Sequence, residues 1–165
     1  MERLACGFEY LIETIKNGVV IDRDRVHNLV PIEGLNYFIN AALRNQAAFA
    51  NFYVGLYEGN YTPTPDDVMA GFPSAATELT AYSETTRRLL TLSAAAAGAT
   101  DNSAARAEFT GTTNGKQAMG GFISSAPTKG SASGVLVSAV RFPSPRPLDA
   151  GTVLRITAGF TFASL

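Results

Sequence analysis

The stretch Val153-Leu154-Arg155-Ile156-Thr157-Ala158-Gly159-Phe160-Thr161-Phe162 decides the fold. Leu154, Ile156, Ala158, Phe160 and Phe162 alternate with Val153, Arg155, Thr157, Gly159 and Thr161. Successive side chains of a strand point to opposite faces, so this spacing predicts a strand with one face on a core. Upstream, Gly134–Phe142, Ala118–Ser125, Ala105–Thr110, Arg87–Leu92 and Phe52–Tyr57 read as further strands. Turn-formers separate them. Ser144-Pro145-Arg146-Pro147-Leu148-Asp149-Ala150-Gly151 reads as a rigid connection, Pro127–Ser133 as a flexible one, and Asn114-Gly115 as a tight turn. Ala94–Ala97 with Gly98 and Asp101-Asn102-Ser103 reads as loop.

At the other end, Phe8–Ile15 and Val19–Ile21 flank Asn17-Gly18, the pair that suits a type I′ hairpin turn. Arg23-Asp24-Arg25 reads as a charged connection. Pro31 opens the one helical pattern, which runs to about Asn45. Ile32, Leu35, Phe38, Ile39, Ala42 and Leu43 form its predicted apolar face, with Glu33, Asn36, Asn40 and Arg44 away from it. Gly34 weakens such a helix by about 1 kcal/mol relative to Ala, which suits close packing on a neighbour. Glu58–Gly71, with Asn60-Tyr61-Thr62-Pro63-Thr64-Pro65, reads as a long loop. These signals predict a mainly β (α+β) domain: an antiparallel β-sandwich or jelly-roll-like barrel with one amphipathic helix packed against it. Residues 1–30 are expected as a hairpin arm of the same domain, and residues 31–165 as the helix and sandwich.

The 165 residues suit one domain. Hydrophobic residues make up 46% and charged residues 16%, below the usual charged share of about 25%. Thirteen Lys and Arg against fourteen Asp and Glu give a net charge of -1, so no basic field points to nucleic acid. One Cys and one His exclude an intrachain disulfide framework and a zinc site built from those ligands. No apolar run approaches the roughly 20 residues that cross a bilayer, and no membrane partner is expected. Met1-Glu2-Arg3-Leu4-Ala5-Cys6 lacks the apolar stretch of a signal peptide.

Catalytic patterns are weak. His27 would have to serve any triad, yet no nucleophile elbow accompanies it. Cys6 has no dedicated His partner. Asp22-Arg23-Asp24 and Asp66-Asp67 do not match calcium-loop spacing. Asn60-Tyr61-Thr62 matches a glycosylation sequon by chance. Gly120-Gly121 does not stand between a strand and a helix as a phosphate loop requires, and suits a bulge instead. Glu78, Glu84 and Glu108 are the loosely grouped glutamates that a glycosidase or sugar-binding module would draw on. The expectation is therefore no enzyme: no catalytic residues, no metal and no cofactor. Low charge with Pro-, Ser- and Thr-rich loops suits a surface covered by neighbours. Loop chemistry nominates Tyr61, Pro63, Pro65 and Phe72 as interface residues, with Phe8 and Tyr10 from the first strand.

Four segments carry a resemblance. They are Val26-His27-Asn28-Leu29-Val30-Pro31-Ile32-Glu33-Gly34-Leu35-Asn36; Phe52–Tyr57 followed by Asn60-Tyr61-Thr62-Pro63; Glu78–Arg87; and Gly151–Phe162. Together they resemble small structural proteins of tailed bacteriophages, over most of the chain from about His27 onward. The resemblance implies a virion component made in the bacterial host cytoplasm, with no active site to carry over. The implied role is a capsid decoration (cement) protein, acting as a homo-oligomer, possibly a trimer, on the major capsid protein. The alternatives are a tail or neck component (a collar or fibre anchor) and a glycan-binding module on the virion surface.

Overall fold

The computed structural model describes residues 4–164. Ten strands form two antiparallel sheets, with one long helix and one short one. The first sheet has the order β2 (Val19–His27), β1 (Leu4–Lys16), β10 (Val153–Ser164), then β6 (Ala99–Asp101) and β7 (Ala107–Thr110) in tandem along the far side of β10. The second has the order β4 (Glu78–Leu79), β3 (Tyr53–Tyr57), β8 (Gln117–Ser124), β9 (Leu136–Pro147), with β5 (Arg88–Leu89) also on β3. The sheets face each other as an open sandwich. Isolated bridges Leu29–Ala139 and Tyr82–Gly111 touch the rims without closing a barrel.

The alternation that predicts the last strand places Leu154, Ile156 and Ala158 in the core. Across β1 they meet Phe8, Tyr10 and Ile12, and the facing sheet supplies Val54, Leu56, Ile123 and Val140. Phe162, expected on that face, is exposed beyond the rim. Asn17 (φ 52°) and Gly18 (φ 76°) adopt the positive φ that the type I′ turn demands.

Three local expectations are corrected and one turn is placed. Arg23-Asp24-Arg25 is not a connection but part of β2, an edge strand whose charges are paired across to β1 and β9. Ser144–Pro147 likewise extends β9, where an edge position tolerates the prolines. Asn114-Gly115 forms the expected turn, and because β7 lies in the first sheet and β8 in the second, that turn crosses between layers. It docks there through Gly115 N–H on Asp149 Oδ1 (2.7 Å) and Ala150 N–H on Asn114 Oδ1 (3.1 Å). Asp101, expected in a loop, ends β6.

Helix α1 (Ile32–Leu43) presents a different face from the expected one. Gly34 and Tyr37 are buried, with Phe38 and Ala41 packed on the core. A Cβ on Gly34 would lie 2.8 Å from Val137 Cα, so the missing side chain lets the helix seat directly on β9. Glu33 is not a solvent-facing residue here. One carboxylate oxygen accepts from the backbone N–H of Met69 (2.9 Å) and Leu136 (2.7 Å), tying helix, loop and sheet together.

The long loop after β3 carries α2 (Phe72–Ala75) and folds over the outer face of the second sheet. Tyr57, Met69, Phe72, Ala76, Phe122, Leu136 and Ala139 form a second, smaller core there. Gly120 makes room for the Tyr57 ring: a Cβ would fall 2.2 Å from the ring carbon. That is the close approach expected of the glycine pair, and the β8–β9 register shifts there.

Candidate interaction surfaces

Three of the nominated interface residues are corrected by burial. Phe8 and Tyr10 belong to the main core. Tyr10 shares a 2.7 Å hydrogen bond between its Oη and Ser138 Oγ, and burial pushes its phenol well above the ordinary range. Phe72 sits among Tyr57, Tyr61 and Phe122, with ring centroids 5.3–5.8 Å away. Aromatic loop residues find apolar cover within the chain, because a loop lying on a sheet face builds its own core. Such rings offer nothing to a neighbour.

Tyr61 is half-buried and works as an internal fastening. Its hydroxyl donates to Asp67 Oδ1 at 2.5 Å, which holds the phenol above its ordinary pKa. Its carbonyl accepts from Arg141 Nη1 at 3.0 Å. Pro63 is half-buried and Pro65 exposed, with the Pro65 carbonyl accepting from Ile32 N–H at 2.9 Å.

A groove of about 710 Å³ runs past Cys6, Glu9, His27 and Asp101. The strand register places His27, Glu9, Gly159 and Asp101 in one row across four strands. His27 Nε2 stands 3.6 Å from Glu9 Oε2. Cys6 belongs to the other alternation class of β1, so it does not join that row. Asp101 accepts from Ser103, which lowers its pKa. The three glutamates are each held by a different partner: Glu78 by Arg87, Glu84 by Thr110 and Glu108 by Arg155. Among the described residues no cluster of His, Cys, Asp and Glu could hold a metal ion, and no helix is long and apolar enough to cross a membrane.

The outer face of the first sheet is a ladder of alternating charge. Arg23, Glu13, Arg155 and Glu108 stand directly opposite one another across β2, β1, β10 and β7. Glu13 is buried beneath Arg23 (2.6 Å), with Arg155 and Arg106 at 3.7 and 3.8 Å. Opposite charges in register stabilise strand pairing by a few tenths of a kcal/mol to about 1 kcal/mol per pair. The ladder pairs its charges inside one chain, with Glu13 Oε2 left without a hydrogen-bond donor.

Apolar residues, in contrast, are left uncovered singly at Leu89, Leu92 and Phe162, and in groups at two places that sequence reasoning did not nominate. At about 100° per residue, Ile32, Ile39 and Leu43 fall within a narrow stripe opposite the Gly34–Tyr37–Ala41 seat. Ile39 is 53% and Leu43 81% exposed. Phe49 and Val68 add exposed apolar surface beyond the helix. The helix is thus apolar on both sides, although only one side rests on the domain. The second place is the hairpin tip, where Val19, Val20 and Ile21 stand exposed in succession. Gly34 was the available signal for the first. A mid-helix glycine that seats on backbone fixes which side faces in, and the bulkier residues are turned outward.

No family model, curated protein or solved structure matches the chain.

Proposed function

We propose that this chain is a structural protein of a tailed-bacteriophage virion, most specifically a capsid decoration protein that self-associates and cements the major capsid lattice. The observation that carries the reading is the two-sided apolar character of α1, joined by the bare apolar tip of the hairpin. Large apolar residues left contiguous on a domain with a complete core mark contact surfaces. The resemblance of the sequence segments supplies the setting. A decoration protein works by binding the assembled lattice in preference to free subunits, which stabilises assembly by mass action. Many copies on one lattice multiply individually weak contacts through effective concentration. The internally paired charge ladder suits this role, since a surface neutralised within the chain repels no neighbouring copy.

The test is imaging and quantitative protein analysis of the particle made by the genome that encodes this chain. The expected result is density for the sandwich at every junction of the capsid lattice. A small ring of copies at the portal or tail would move the assignment to the neck or tail. Complete absence from purified particles would overturn the reading.

A further inference from the structure

The two bare apolar surfaces lie at opposite ends of the sandwich. Helix α1 sits at the end where Phe8 pairs with Phe160, and Phe38 packs on Phe160 with ring centroids 5.6 Å apart. The hairpin tip extends past Ile15, which pairs with Val153. Seven residues of strand, roughly 23 Å, separate the two pairs. A chain therefore cannot cover its own α1 stripe with its own tip.

The charges at the turn of the tip and at the start of the stripe are complementary. Asp66, exposed, follows Pro65, whose carbonyl binds Ile32 N–H at the start of the stripe. Arg44, exposed, follows Leu43 at its end. On the tip, Lys16 is paired opposite Val19 and Asp22 follows Ile21. An arm laid on the stripe with its turn toward the helix start brings Lys16 to Asp66, while Asp22, already paired with Arg146 of its own copy, comes to lie beside Arg44 without a free charge to offer it.

The β2 edge itself is guarded against copying. In a two-fold antiparallel pairing of identical strands, residues of the same alternation class face each other. Centred on Arg23, such a pairing would set Asp22 against Asp24 and Arg23 against its own copy; centred on Asp24, it would set Asp24 against its own copy and Arg23 against Arg25, and either is destabilising. A two-fold contact between α1 helices would cover the stripe but leave both tips bare.

We propose that copies of this chain associate head to tail, the Val19–Ile21 tip of one copy lying on the Ile32–Ile39–Leu43 stripe of the next. This deepens the self-association in the reading above and rests on that part of it. A heterologous contact of this kind closes into a ring or continues as a filament, according to the angle between copies.

The test uses two variants of the full chain. One carries Val19→Lys with Ile21→Lys, and the other carries Ile39→Lys with Leu43→Lys. Wild-type protein is expected to show an assembled species by sedimentation velocity and native mass spectrometry through the micromolar range. Each variant alone should need more than about tenfold higher concentration to assemble. Mixed in equal amounts, the two should form a heterodimer and stop there, because the mixture retains one intact tip and one intact stripe per pair. Wild-type protein that stays monomeric overturns the proposal. So does a tip variant that still dimerises, which would indicate a two-fold α1 contact, or a mixture that fails to pair. Thermal melts of each variant check folding. If either double variant fails to fold, the single changes Ile21→Thr and Leu43→Gln carry the same mixing test. Wild-type monomers that nevertheless coat capsids would overturn the head-to-tail contact alone. Head-to-tail assemblies absent from particles would overturn the virion reading alone.

Discussion

Among the described residues two arginines are fully buried, and they sit in different surroundings. Arg87 lies against the second sheet. It donates to both oxygens of Glu78 (2.9 and 2.7 Å), to the carbonyls of Ala126 and Ser131, and to Ser124 Oγ, with the Phe122 ring 5.1 Å below. Its carboxylate partner is only 3% exposed. Arg146 lies under the hairpin. It binds Asp22 and Asp24, of which Asp22 is 57% exposed, and its Nε has no partner. The first node is closed on both sides and fastens the Pro127–Ser133 connection to the body. The second is closed only on the arginine side and fastens the arm. A buried charge is costly when left alone, so the burial of the partner left behind decides what each break costs.

That rule orders the expected effects. Arg87→Met strands the Glu78 carboxylate in the interior and should cost about 3–5 kcal/mol, lowering the melting temperature by roughly 10 °C. Urea unfolding measures it directly. At the second node the cost should depend on which side is cut. Asp22→Ser with Asp24→Ser leaves a buried guanidinium unpaired, for a loss of about 3 kcal/mol. Arg146→Met leaves aspartates that water can reach, for about 1–2 kcal/mol. Equal losses from the two cuts would contradict the asymmetry.

A pH series separates the body from these nodes. Desolvation raises the phenols of Tyr10, Tyr57 and Tyr82 far above their ordinary value. Above about pH 10 the unfolded chain releases these protons while the folded chain keeps them. Stability is therefore fully present below about pH 10 and is lost as pH rises, by about 1.4 kcal/mol per pH unit for each tyrosine. Arginines remain charged across that range. Tyr10→Phe should flatten the slope by about one proton, while Arg146→Met should leave it unchanged. Urea titrations at several alkaline pH values read the slope.

The strands of the sandwich interior were legible in the sequence because burial on one face imposes period two. The edge strands were not, since an edge tolerates the charges of Arg23–Arg25 and the prolines of Ser144–Pro147 that otherwise mark connections. The helix was legible as a helix, but its inward side was not. Counting apolar residues favoured Ile32, Ile39 and Leu43, whereas contact with β9 backbone required Gly34. Three of the surface nominations, Phe8, Tyr10 and Phe72, prove buried for a related reason. Phe72 lies in a loop by local sequence, yet the Glu33 and Arg141 fastenings that fold this loop over β3 and β8 join residues far apart in the chain. The Arg146–Asp22 link, between residues 124 positions apart, is equally invisible to any local window.

The Tyr61–Asp67 bond supplies the low end of the scale set by the two arginines. Asp67 also accepts from Thr64, through the backbone N–H to Oδ2 (2.8 Å) and the hydroxyl to Oδ1 (3.2 Å). It is half-buried, so water can replace a lost donor. Tyr61→Phe removes one hydrogen bond and preserves the ring against Phe72, for an expected loss of about 1 kcal/mol. Amide exchange localises the effect: the Ile32 N–H, held by the Pro65 carbonyl, should exchange faster, while amides of β1 and β10 stay unchanged. A loss as large as that of Arg87→Met would mean that burial of the partner left behind does not set the cost.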